Sequence, residues 1–175
     1  MPAISDEEID GLLSRQAIHD LLMAYARGVD RADAALLASI FHPDATVVTG
    51  VIDGTGSDFV RGIVEHVRKR LDRCFHAIAN QWIQVRGDRA VGESYVIAIT
   101  TAGAQEGMIA GRYIDEFERC DGVWKIRSHI IVMDWSTTRP ASSGDDGMFK
   151  AIRTRGSYGR SDPIYRYWQD PDSVA

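Results

Sequence analysis

The chain has 175 residues, 45% of them apolar and 26% charged, the size and composition of one globular domain and neither disordered nor fibrous. Its 20 basic against 25 acidic residues give a net charge of −5, opposite to the footprint that a phosphate backbone selects, which argues against nucleic acid as a partner. The longest apolar runs, such as Ile130-Ile131-Val132-Met133, fall far short of the roughly 20 residues of a membrane helix. The acidic start Ser5-Asp6-Glu7-Glu8 is unlike a signal peptide. Cys74 and Cys120 have neither disulfide-framework nor zinc-cluster spacing and read as reduced, structural thiols. The expectation is a cytoplasmic protein away from any membrane.

In chain order, Ser5-x-x-Glu8 has capping-box spacing, and Ile9, Leu12, Leu13, Ala17, Leu21, Leu22, Tyr25 and Val29 recur at helical intervals, predicting a helix to about residue 28. A short second helix follows, with Asp33 as N-cap, Leu36, Leu37 and Ile40 as its stripe and a stop at His42-Pro43. Thr46 to Val51 reads as a strand and Asp53-Gly54-Thr55-Gly56 as a turn. A third helix starts near Ser57 or Asp58 and turns Phe59, Ile63, Val64, Val67, Leu71 and Phe75 inward, with Glu65 and Lys69 paired outside.

From His76 the period changes to that of strands. Residues 76–86, 90–101, 108–119 and 123–135 are rich in Val, Ile, Thr, Tyr and Trp between Gly and Asp-Gly punctuation, the pattern of an antiparallel meander with Asp121-Gly122 as its clearest hairpin. Three helices followed by strands imply an α+β domain over residues 1–135, with the helices on one face of a curved sheet. Residues 136–175 read as a C-terminal tail whose Tyr158, Tyr165, Tyr167 and Trp168 pack on the barrel or on a neighbouring subunit.

No Walker loop, nucleophile elbow or zinc-protease helix occurs, and Gly54-Thr55-Gly56 lacks the third glycine of a dinucleotide loop, so no cofactor and no metal is expected. His66 reads as a surface residue beside Arg68-Lys69-Arg70, and His42 as a helix terminator. Two ionisable residues stand out. Asp30 closes the first helix, where a carboxylate opposes the helix dipole. His76 opens the first long strand, sharing a face by the period of two with Ile78, Asn80 and Trp82. An Asp bonded to a His holds one imidazole tautomer and makes a general base for neutral pH. The bland alternative is a helix-flanking acid and a satisfied core histidine. Tyr25 lies 140° from Asp30 on an ideal helix, so the two converge only if the helix unwinds near Gly28; otherwise Tyr25 belongs to the buried stripe.

The segments Arg15-Gln16-Ala17-Ile18-His19-Asp20-Leu21, Tyr25-Ala26-Arg27-Gly28-Val29-Asp30, Phe41-His42-Pro43-Asp44-Ala45, His76-x-x-x-Asn80 and Asp121-Gly122-Val123-Trp124-Lys125-Ile126 resemble the SnoaL-like branch of the nuclear-transport-factor-2-like superfamily. The resemblance implies a cone-shaped α+β barrel, a fold that also carries isomerases, cyclases and inactive proteins. Within the branch the chain is most similar to Asp-His dyad lyases, the hexachlorocyclohexane dehydrochlorinases, scytalone dehydratase and bile acid 7α-dehydratase. That similarity implies His76 as base, Asp30 as its partner and Tyr25 as a third catalytic group. Relatives carry an arginine on or beyond the last strand; this chain offers His129 and, downstream, Arg139. Strict alternation with Trp124 and Ile126 would turn His129 outward unless a bulge intervenes.

The reading is a cofactor-free lyase, a dehydratase or related eliminating enzyme, acting on a small hydrophobic cyclic or aromatic substrate. Trp82 and Phe75 line the pocket with residues of the 90–101 and 108–119 strands, and His129 or Arg139 contacts substrate. Relatives imply a homo-oligomer, a trimer first. Isomerisation or retro-aldol cleavage by the same dyad, a noncatalytic β subunit of a ring-hydroxylating dioxygenase, and a ligand-binding protein stand as alternatives.

Overall fold

The computed structural model describes residues 3–142 and 150–168. Helix α1 (Asp6–Asp30) starts at the predicted capping box: the Glu8 amide donates to the Ser5 hydroxyl (3.2 Å) and the Ser5 amide to the Glu8 carboxylate (2.8 Å). It runs unbroken to Asp30, two residues past the expected end. Gly28 does not unwind it. A Cβ there would fall 2.7 Å from the Leu37 side chain, so this glycine lets α2 (Ala34–Ile40) pack closely on α1. Asp33 caps α2 as expected, accepting the Leu36 amide at 3.0 Å. Ile18, Leu22, Tyr25 and Val29 of α1 are buried, but Ile9, Leu12 and Leu13 are exposed.

Strand β1 (Phe41–Val48) begins directly at the helix stop, so the His42-Pro43 segment is strand and not turn, and the strand ends before Val51. The expected turn after it contains the two-residue strand β2 (Gly54–Thr55), paired to β1. Helix α3 (Gly56–Arg70) is capped by Thr55 with a second capping box, earlier than the Ser57 or Asp58 start read from sequence. Glu65 and Lys69 pair on its outer face at 2.6 Å.

The meander is β3 (Arg73–Arg86), β4 (Arg89–Ala102), β5 (Gln105–Cys120) and β6 (Val123–Pro140). With β1 parallel to β6, the described sheet has the order β2-β1-β6-β5-β4-β3. Asp121 and Gly122 both take positive φ (52° and 78°) in the turn between β5 and β6, the type I′ geometry that matches strand twist. Extra residues in β3 between Ile78 and Gln81, and in β6 at Arg127 and Asp134, break the pairing and add curvature. The three helices close the concave face over a core of Tyr25, Phe41, Phe59, Tyr113, Phe117 and aliphatic residues. The six-stranded curved mixed sheet with helices packed on it is the α+β cone.

Strand β6 continues five residues beyond 135. The described tail lies along the helices, not over the sheet. The Tyr158 hydroxyl donates to the Leu71 carbonyl (3.3 Å), the Gly159 amide to the Arg31 carbonyl (2.6 Å), and Tyr165 hydrogen-bonds Asp33. The Arg27 guanidinium stacks 4.2 Å from the Trp168 ring centroid, a cation–π contact at the tail's helix α4 (Tyr165–Trp168).

Candidate active site

The C-terminus of α1 abuts the start of β3, and this junction brings together two residues 46 apart in sequence. His76 Nδ1 lies 2.7 Å from Asp30 Oδ1, and the His76 backbone amide donates to Asp30 Oδ2 at 3.0 Å. Both carboxylate oxygens are engaged, which fixes the rotamer of Asp30 and offsets its position at a helix C-terminus. An ionised carboxylate only accepts, so Nδ1 carries the proton and Nε2 is left for other work. The two side chains are 10% and 9% exposed.

His76 borders a half-open cavity of about 130 Å³, lined by Tyr25 and Val29 of α1, by Thr49 just after β1, by Phe59, Ile63, His66 and Val67 of α3, and by Val96, Ala98, Ile109, Tyr113 and Ile131 of the sheet. Strands β4 and β5 contribute to it as expected. Tyr25 reaches the cavity although α1 stays helical: its ring meets the His76 ring edge-on at 6.5 Å, so the two groups converge on His76 and not on each other. Tyr25 also stacks on Phe59 (6.1 Å) and meets Tyr113 edge-on (5.3 Å). Burial, and then the charge of Asp115, push the Tyr25 phenol well above its ordinary range; burial does the same to Tyr113. Both are therefore neutral hydrogen-bond donors across the physiological range.

Other predicted site residues lie elsewhere. Trp82 is 71% exposed and Phe75 55% exposed, both on the outer face of the sheet. The extra residue between Ile78 and Gln81 turns Asn80 and Trp82 outward, and Phe75 alternates with the inward Cys74 and His76. Arg139 sits in the exposed end of β6 and pairs with Glu106 at 2.6 Å, away from the cavity wall. His129 points inward, because Arg127 is the extra residue that resets alternation after Ile126. It is fully buried and pairs with Asp115 at 2.6 Å, behind Tyr25 and Tyr113 instead of on the cavity surface. His66, expected on the surface, lines the cavity. Its spacing of three from Ile63 and seven from Phe59 on one helix face was the overlooked signal. Asp115 was legible too, since the period of two puts it beside Tyr113 and Phe117.

Among the described residues two groups hold potential metal-ligating atoms within 4.8 Å of one another, Asp30-Cys74-His76 and His42-Glu118-Cys120. In the first, both Asp30 oxygens are already bonded, and burial, followed by the Asp30 charge, pushes the Cys74 thiol up to about 12, so it stays protonated at neutral pH. In the second, Glu118 is taken by Arg89 at 2.7 Å. Neither set is a ready-made cation cage.

A family model for the SnoaL-like domain matches residues 10–129. The chain belongs to this family. This SnoaL-like protein is 31% identical over 135 residues to the gamma-hexachlorocyclohexane dehydrochlorinase of Sphingobium indicum, a match covering 74% of this chain and 86% of that one. The solved hexachlorocyclohexane dehydrochlorinase from Novosphingobium barchaimii superposes with a TM-score of 0.66 at 30% identity, over 78% of this chain and 95% of that one. A scytalone dehydratase-like protein of Novosphingobium aromaticivorans, 22% identical, shares the fold at a TM-score of 0.65 over 73% of this chain and 88% of that one. The α+β cone of the nuclear-transport-factor-2-like superfamily and a kinship to lyases are thus established. No helix among the described residues is long and apolar enough to cross a membrane.

Proposed function

We propose that this SnoaL-like protein is a cytoplasmic, cofactor-independent lyase that eliminates a small leaving group from a cyclic or aromatic, largely apolar substrate. His76 Nε2 takes the proton from carbon, Asp30 holds the ring and offsets the imidazolium charge, and the Tyr25 phenol hydrogen-bonds the substrate oxygen or departing group. The observation that carries the reading is the closed Asp30–His76 pair, with side chains about one-tenth exposed, on the wall of an apolar cavity. A positioned base supplies roughly 10²–10⁴ in rate. Donors fixed where negative charge develops supply the rest. The cavity's 130 Å³ suits one small ring, since an apolar cavity of about 150 Å³ admits benzene.

A closed dyad on a cavity favours a catalyst over a dioxygenase β subunit or a plain ligand carrier; isomerisation and retro-aldol cleavage would use the same base. The same reading makes the barrel, residues 1–135, the catalytic unit and the tail a strap on its helices. The outer sheet face exposes Trp82, Tyr95, Ile97, Ile114 and Ile130 around the Glu93–Arg112–Asp134 ion pairs, apolar side chains that association with a second copy would take out of water. It supports a homo-oligomer, a trimer first. Turnover of cyclic halides and β-hydroxy ketones by wild type and His76→Ala tests the mechanism: loss of turnover in the variant is expected, and near-native turnover overturns it.

A further inference from the structure

The cavity wall is mostly apolar, and one of its polar groups has no task in the reaction above. His66 of α3 lines the cavity and is half-buried. Its helix neighbours at three and four residues are Gly62, Ile63, Lys69 and Arg70, none of them a carboxylate that would hold the imidazole on the helix surface. Among the described residues it has no hydrogen bond, ion pair or ring contact. In either neutral tautomer an imidazole offers one donor and one acceptor. Both stay open to a molecule in the cavity.

The other polar groups of the wall are committed or hidden. His76 and Tyr25 serve the reacting carbon and the departing group. The Thr49 hydroxyl donates to the Ile52 carbonyl at 2.9 Å and accepts the amides of Val51 (3.3 Å) and Ile52 (3.0 Å), so its capacity is spent inside its own loop. Cys74 stays protonated through burial and then the Asp30 charge, and a thiol is a weak donor. Tyr113 is 1% exposed. The Thr100 hydroxyl on β4, in the residue opposite Cys74, remains as the rival to His66. Val51 and Ile109 line the cavity and are also 56% and 39% exposed, which sets the mouth between the β1–β2 loop and β5. The cavity takes one small ring, so a molecule held against His76 also meets the α3 side of the wall.

We propose that His66 selects the substrate: its imidazole hydrogen-bonds a carbonyl or hydroxyl oxygen that the ring carries away from the carbon at which His76 acts. The inference rests on the lyase reading and narrows its substrate class to oxygenated rings, since a site built to hydrogen-bond a substrate oxygen discriminates against an analogue that lacks it. Apolar walls give affinity for any ring of this size, and a few placed polar groups fix its orientation. An oxygen bonded to His66 turns the ring one way round, so that one C–H among several meets His76 Nε2. A ring without that oxygen expels water from a half-buried imidazole and leaves it unpaired, which weakens binding. His66 binds substrate and moves no proton.

The test uses the full chain and two probes of one shape, cyclohexanone and methylenecyclohexane, in which an oxygen that accepts hydrogen bonds is exchanged for a CH2 that does not. Magnetic resonance titration gives a Kd for each. The quantity compared is the Kd of methylenecyclohexane over that of cyclohexanone, because the difference in their hydration is common to every variant. His66→Leu is expected to lower this ratio about five- to tenfold. His66→Gln, which keeps a donor and an acceptor, is expected to lower it by less than about twofold. His66→Met takes the place of His66→Leu if the latter does not fold. An unchanged ratio overturns the proposal, and so does a ratio that moves with Thr100→Val instead. It falls as well if cyclohexanone does not bind the wild type at millimolar concentration. Binding needs no turnover, so a ratio lowered by His66→Leu together with near-native turnover in His76→Ala sinks the lyase reading and leaves His66 as a binding residue.

Discussion

The His76–Asp30 and His129–Asp115 pairs have nearly the same internal geometry, 2.7 and 2.6 Å from Nδ1 to Oδ1, and flank the same tyrosine. They differ in what the far nitrogen meets. His76 opens onto a cavity, and both oxygens of its carboxylate are bonded; His129 is sealed, and each partner keeps an orphan atom. The spacing of an acid and an imidazole therefore does not mark a base that touches substrate. Access to Nε2 does.

The largest effect that separates the pairs is on rate. His76→Ala is expected to cost on the order of 10²–10⁴ in kcat on any substrate the wild type turns over; steady-state kinetics check it. Next comes stability. Asp115→Ala leaves a fully buried imidazole without its hydrogen-bond partner and is expected to cost about 1–3 kcal/mol in urea unfolding. Asp30→Ala, whose histidine can draw on the cavity, is expected to cost less. If the two variants lose equally, the distinction between open and sealed pairs fails.

Alkaline titration sharpens the picture of the tyrosine between them. The folded-state pKa of Tyr25 is raised above the ordinary 10, so its stabilisation is whole below that pH and fades above it. There the unfolded chain surrenders phenol protons that the folded chain retains. Ultraviolet difference titration should find Tyr25 and Tyr113 silent until the protein unfolds, and Tyr25→Phe should flatten the alkaline fall in stability. The smallest effect is on thiols: with Cys74 buried and pushed up to about 12, and Cys120 exposed, one fast-reacting cysteine is expected with iodoacetamide at mildly alkaline pH, and Cys120→Ser should abolish it.

Much of the scaffold could be read from the chain because its signals are local. Ser5-x-x-Glu8 and Asp33 set the helix starts, and Asp121-Gly122 set the last hairpin. Asp30 could be singled out since it ends α1, where a carboxylate calls for a partner, and His76 since it falls where the helical period gives way to that of strands, although β3 starts three residues earlier, at Arg73. What escaped the reading depends on single surplus residues in strands, which no local pattern announces. One in β3 sent Trp82 out, and another in β6 brought His129 in. The role of His66 escaped because a basic run after it masked an inward position on α3.

Arg127 deserves to be seen as a hinge in the genetic text as well as in the strand. Deleting that one codon would close the bulge and leave Ser128 opposite Glu116 and His129 opposite Asp115, so the histidine would keep its inward place in an evenly paired strand. A lineage can in this way gain or shed a residue at this point of the strand in a single mutational event, without disturbing the side chains packed around the interior histidine.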